Sequence, residues 1–101
     1  MYAVIFTAIV AGFDDEYVKL AEKMKHLAMT DYGCIEFNSC TEGDREIAIS
    51  YWHDLDQIKR WKANVEHLQV QSRGRSTWYR SYKVEITKIE RSYEMENLGK
   101  D

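Results

Sequence analysis

The chain is short of the residues from which several common sites are built. Its five glycines do not cluster, so no phosphate-cradling loop or dinucleotide fingerprint is present. Its three histidines, His26, His53 and His67, are scattered, and Cys34 and Cys40 form no C-x-x-C pair, so metal-ligand spacings are missing and no metal or cofactor is expected. No G-x-S-x-G elbow occurs, and neither cysteine has a base close by in sequence. Lysine and arginine number 14 against 17 acidic residues, a net charge of −3 with no basic stripe, which argues against a nucleic-acid partner. The longest apolar run, around Ala8 to Gly12, is far too short to span a membrane. Met1 leads directly into a strand-like pattern, so no signal peptide is expected.

What is present suits one packed domain. With 101 residues, 45% hydrophobic and 13% aromatic, the chain has the material for a core and can bury roughly two-thirds of its unfolded surface. Cys34 and Cys40 are expected in one strand about 20 Å apart, too far to bridge. Two free thiols imply a reducing compartment, so a cytoplasmic location is expected.

Tyr2 to Val10 is apolar on both faces, the mark of a strand covered on two sides. Helices of the same chain supply one cover, and a second subunit is the economical source of the other. Asp14 reads as an N-cap, with Phe13 and Val18 as a hydrophobic staple and Asp15 and Glu16 in the first turn. The helix runs to about Thr30, with Tyr17, Leu20, Ala21, Met24, Leu27 and Ala28 as its buried stripe. Asp31-Tyr32-Gly33 turns the chain into a strand from Cys34 to Thr41. A turn at Glu42-Gly43-Asp44 returns it along Glu46–Trp52. Two helical segments follow, Leu55–Ala63 and about Val65–Trp78. The last strand, Tyr79–Glu90, is apolar at Tyr82, Val84 and Ile86 and then at Ile89 and Tyr93, a change of phase that implies a bulge or a new packing partner. The order β-α-β-β-α-β is the ferredoxin-like arrangement, an α+β fold with an antiparallel sheet. One domain over residues 1–93 and a mobile tail over 94–101 are expected.

The stretch Trp52–Tyr82 holds the chemistry. Trp61 is either a core tryptophan or a wall against which a planar ligand packs. His67, Gln71, Gly74 and Trp78 recur at three and four residues, so one helix face presents imidazole, amide, bare backbone and indole. His67 is the candidate proton acceptor, with Gln71 one turn away, unless it is a surface or structural histidine. Arg73 and Arg75 are candidate anion ligands or solvated surface, and Trp78, Tyr79 and Tyr82 form an aromatic cluster where helix meets strand. Tyr51, Phe6 and Asn38 complete the candidate substrate-binding set, Asn38 on the reading that it faces the helices.

Ser50-Tyr51-Trp52, Trp61-Lys62, Asn64, His67, Gln71, Gly74-Arg75, Trp78-Tyr79, Tyr82 and the run from Ile86 to Tyr93 together resemble the antibiotic biosynthesis monooxygenase domain family, over residues 2 to 93. The resemblance implies a dimeric α/β barrel of ferredoxin-like subunits, with a cleft between helices and sheet and a last strand reaching towards the partner. It also implies cofactor-independent oxidation of a small aromatic phenol or quinol, degradation of haem, or binding of a hydrophobic metabolite without catalysis. Against the haem-degrading branch, Trp61 matches the catalytic tryptophan. The proximal-histidine position falls on Gln71 and the first-strand asparagine near Thr7, so haem would need His67 as its ligand.

Overall fold

The first strand, β1 (Tyr2–Val10), is the spine of the sheet and pairs on both edges. The computed structural model describes residues 1–12, 14–71, 78–97 and 99, with the backbone alone described at 69–71. The other elements are α1 (Asp15–Asp31), β2 (Glu36–Glu42), β3 (Arg45–Trp52), α2 (Leu55–Gln71) and β4 (Tyr79–Lys88). The sheet order is β2-β3-β1-β4 and every pairing is antiparallel, the ferredoxin-like topology expected.

Local chemistry sets the boundaries. The Asp14 carboxylate accepts the Tyr17 backbone N–H at 2.7 Å and starts α1. The staple partner Phe13 lies outside the described residues. Gly33, at φ 81°, supplies the left-handed turn after α1. A two-residue turn at Gly43-Asp44, with Gly43 at φ 62°, joins β2 to β3. Asp54 and Gln57 form a reciprocal capping box: Asp54 Oδ1 accepts the Gln57 N–H at 2.8 Å, and Gln57 Oε1 accepts the N–H groups of Asp54 and His53.

Two expected boundaries move. The helix after Trp52 is unbroken to Gln71 rather than split near Asn64. Asn64 donates its side-chain amide to the Tyr32 hydroxyl at 2.9 Å, so the amide does not compete for the helix backbone. In β4 the register shifts opposite Ile9 and Val10, at the start of the strand and not near Thr87. The altered phase at Ile89 marks the end of the ladder instead: the Ile89 N–H donates to the Met1 carbonyl at 3.0 Å, and no strand continues among the described residues beyond Lys88.

Both helices lie on one sheet face. Register puts Val4, Phe6, Ala8, Ser50, Trp52 and Phe37 in phase on that face. The core joins Val4, Ala28, Cys34, Trp52 and Ile58, with Tyr2, Tyr32, Phe37 and Trp61 packed against it. Trp52 is wholly buried, and its indole N–H donates to the buried Ser50 hydroxyl at 2.9 Å. The other face carries Ile5, Ile9, Ile47, Ile49 and Tyr51, all half-buried.

Both cysteines are free thiols. Cys34 precedes β2 rather than lying within it, and it is buried, whereas Cys40 is exposed. Burial pushes the Cys34 thiol up. A thiol reagent should therefore modify only Cys40 in the native protein and both cysteines under denaturant without reductant. Finding a single group in denaturant would contradict this arrangement.

Candidate functional site

Between the helices and the sheet lies a cleft of about 460 Å³. Its floor follows from strand register. Glu46, Ala8 and Tyr82 form one row across the sheet, Ala48, Phe6 and Val84 the next, and Ser50, Val4 and Ile86 a third. The helices supply Tyr17, Ala21 and Met24 from α1 and Ile58, Trp61 and Val65 from α2. The small side chain of Ala48 leaves space that Leu or Ile would fill.

The two ends of the cleft differ. At one end Trp61 packs on Trp52 at 5.2 Å between ring centroids and edge-to-face on Phe37 at 6.0 Å, and its indole N–H donates to the Met24 carbonyl at 3.0 Å. Those contacts lock the Trp61 ring in both tilt and depth. At the other end Phe6, Tyr79 and Tyr82 meet at 5.6 to 5.9 Å. Below them the Tyr17 hydroxyl donates to Glu46 Oε2 at 2.5 Å, and the Tyr79 hydroxyl donates to Tyr17 at 3.3 Å. Tyr17 is 3% exposed. Burial first, then the bond to Glu46, pushes its hydroxyl far above the ordinary tyrosine range, so it stays a neutral donor. Burial raises Tyr79 as well.

Of the residues expected from sequence, Trp61, Phe6 and Tyr82 line this cleft. His67 does not. It is exposed on α2, and six residues along one continuous helix place it about 120° round from Trp61. Gln71 ends α2 with its side chain outside the described residues, as are Arg73, Gly74 and Arg75 altogether. Trp78 is 2% exposed and packs edge-to-face behind Tyr17 at 5.4 Å, not in the cleft wall. Asn38 and Tyr51 need correcting. Phe37 and Ser39 take the inward phase of β2, so Asn38 faces away, its amide donating to Glu36 at 2.6 Å, and Tyr51, paired with Glu36, lies on the same open face. Thr7 shares that outward phase, which places it away from the cleft.

Two members of the site went unread in the sequence, Tyr17 as a donor and Glu46 as its acceptor. Glu46 had a signal. It is a charged residue in the inward phase of its strand, two steps from Ala48 and six from Trp52.

No family model matches the chain. It is 40% identical over 91 residues to YqjZ, an uncharacterised protein of Bacillus subtilis strain 168, across 89% of this chain and 80% of YqjZ. The chain belongs to the YqjZ family. Among solved structures it resembles SnoaB of Streptomyces nogalater, a cofactor-independent oxygenase, with a TM-score of 0.71 and 15% identity over 90% of this chain and 94% of SnoaB. It also resembles a candidate antibiotic biosynthesis monooxygenase from Deinococcus radiodurans, with a TM-score of 0.53 and 11% identity over 96% of this chain and all of that one. The ferredoxin-like fold of the subunit is thus the one that the sequence resemblance implied. No helix among the described residues is long and apolar enough to cross a membrane.

The buried hydroxyls fix a pH dependence. In the unfolded chain tyrosines ionise near pH 10 and thiols near pH 8.5, while the fold holds Tyr17, Tyr79 and Cys34 protonated beyond those values. Their contribution to stability is therefore whole at neutral pH and is lost as pH rises, because the unfolded state alone releases the protons. Melting temperature should fall from about pH 8.5 upward, and Tyr17→Phe should flatten the slope above about pH 10. An unchanged slope in that variant would show that Tyr17 ionises as readily in the fold as outside it.

Proposed function

We propose that this chain is a small monooxygenase that holds a planar phenol or quinol in the cleft and lets the substrate itself reduce oxygen. The observation that carries this reading is the aromatic lining from Trp61 to Tyr79 and Tyr82 around an open space of about 460 Å³. The likeness to SnoaB, described as a cofactor-independent oxygenase, supports the reading without a cofactor.

The chemistry balances without an added reductant. Loss of the phenolic proton gives a phenolate with carbanion character at a ring carbon that bears hydrogen. Oxygen bonds to that carbon as a peroxide, and loss of water leaves a quinone. One oxygen atom ends in the product and the other in water, and the substrate supplies all four electrons. A dry aromatic wall protects the intermediates from side reactions. Incubation with a panel of anthrols and naphthoquinols under labelled oxygen should give a product that has gained one labelled oxygen and lost two hydrogens, and none without oxygen. If members of the panel bind, quenching tryptophan fluorescence, but none is oxidised, the protein is a carrier of hydrophobic metabolites and not an enzyme.

The working unit in this proposal is a homodimer joined through the open sheet face. Ile5, Ile9, Ile47, Ile49 and Tyr51 form an apolar surface there, on the face opposite α1 and α2. Sedimentation at micromolar concentration should give twice the 12.0 kDa chain mass. A monomer would remove the dimeric barrel.

A further inference from the structure

We propose that Glu46 is the proton-accepting group of the cleft, taking the hydroxyl proton of the substrate at Oε1 while Tyr17 holds Oε2. The inference rests on the oxygenase reading and assigns within it the step that sequence gives to His67.

Geometry carries it. Glu46 lies on the sheet floor with its neighbour in the row, Ala8, only 1% exposed and too small to cover it. Tyr17 and Tyr79 stand beside it, and Tyr82 completes the row on the far side of β1. A carboxylate in such surroundings is costly unless it is hydrogen-bonded. Tyr17 satisfies one oxygen and leaves the other for a donor that enters the cleft. The remaining charged groups of the cleft wall, Glu22, Lys25, Lys62 and Glu66, all belong to the helices and are exposed. From the Glu46 row to the row of Val4 is four residues, about 13 Å along the strands. That length accommodates a fused-ring phenol with its hydroxyl on Glu46 and its far ring towards Trp61.

The proton accounting closes on this one group. Glu46 takes the phenolic proton, then returns it to the peroxide formed on the ring carbon. As the oxygen–oxygen bond breaks, the carboxylate takes the proton from that carbon and passes it to the leaving hydroxide, which departs as water. Tyr17 acts as a positioning residue: it stays protonated throughout and fixes which carboxylate oxygen is presented.

The test uses the full chain, with 1-naphthol binding read by tryptophan fluorescence without oxygen and turnover read on the anthrols with it. The wild type should bind naphthol and oxidise an anthrol with a kcat/KM that falls on the acidic side as the carboxylate is protonated. Glu46→Gln, nearly the same shape, should still bind naphthol, and on any oxidised anthrol its turnover should fall by about 10²–10⁴, the range for loss of a general base, and lose that acidic limb. His67→Ala should keep the binding, the rate and the limb. If Glu46→Gln fails to fold, Tyr17→Phe substitutes: the acidic limb of its kcat/KM profile should move, and an unmoved limb overturns the assignment. A Glu46→Gln protein that keeps the rate and the limb removes Glu46 from the mechanism and leaves the oxygenase reading standing. Failure of the wild type to bind naphthol or any anthrol overturns both.

Discussion

The fold turns on the burial of Trp52. This indole ends β3, sits in the inward phase, and contacts α2 through Trp61 while sharing a core with Ala28 of α1 and Ile58 of α2. It therefore binds the sheet to both helices at one end. Its N–H would be costly in that position without a partner, and Ser50, two residues back on the same face, provides one within the strand. Burying so large a side chain at one end sets the spacing of helices from sheet along the rest of their length. Where the sheet carries Ala48 instead, the same spacing leaves open space in the cleft.

The consequence is a cleft with a direction. Near Trp52 it is walled by indole and phenyl rings with their polar atoms already satisfied inside the protein. Near Glu46 it is walled by hydroxyls and a carboxylate joined in series. In the proposed function, a phenol with an apolar body would meet that gradient with its hydroxyl at the Glu46 end.

Much of the architecture was legible because turn chemistry and periodicity agree. Asp14, Gly33 and Gly43 each stand where the chain changes element, and β1 declared its two apolar faces directly, whereas the cap at Asp54 went unread. The site was less legible. His67 looked inward only while α2 was read as two segments, since an independent second segment could be rotated freely; one continuous helix fixes it away from Trp61. Asn38 was placed by its polarity, although Phe37 and Ser39 already held the inward phase. Tyr17 and Glu46 are 29 residues apart, and only the assembled sheet brings them together. No local pattern encodes such a pair, but a charged residue in the inward phase of a strand is visible without one.

That visibility has a physical basis. A sequence that satisfied local rules everywhere would place Val or Ile at 46 and Leu at 17, and the helix would then settle on the sheet. Instead Glu46, in the inward phase, is bonded by Tyr17, and the buried Trp78 ring packs edge-to-face behind Tyr17. The apolar body of the sheet and the Trp52 core carry the cost of burying a charged group there. Departures from local consistency are expected at functional sites, and Glu46 in the inward phase is the departure on which the proposed mechanism rests. The opposite end of the same cleft, built from the same strands, buries a polar side chain as well, Ser50, and satisfies it within the strand through Trp52.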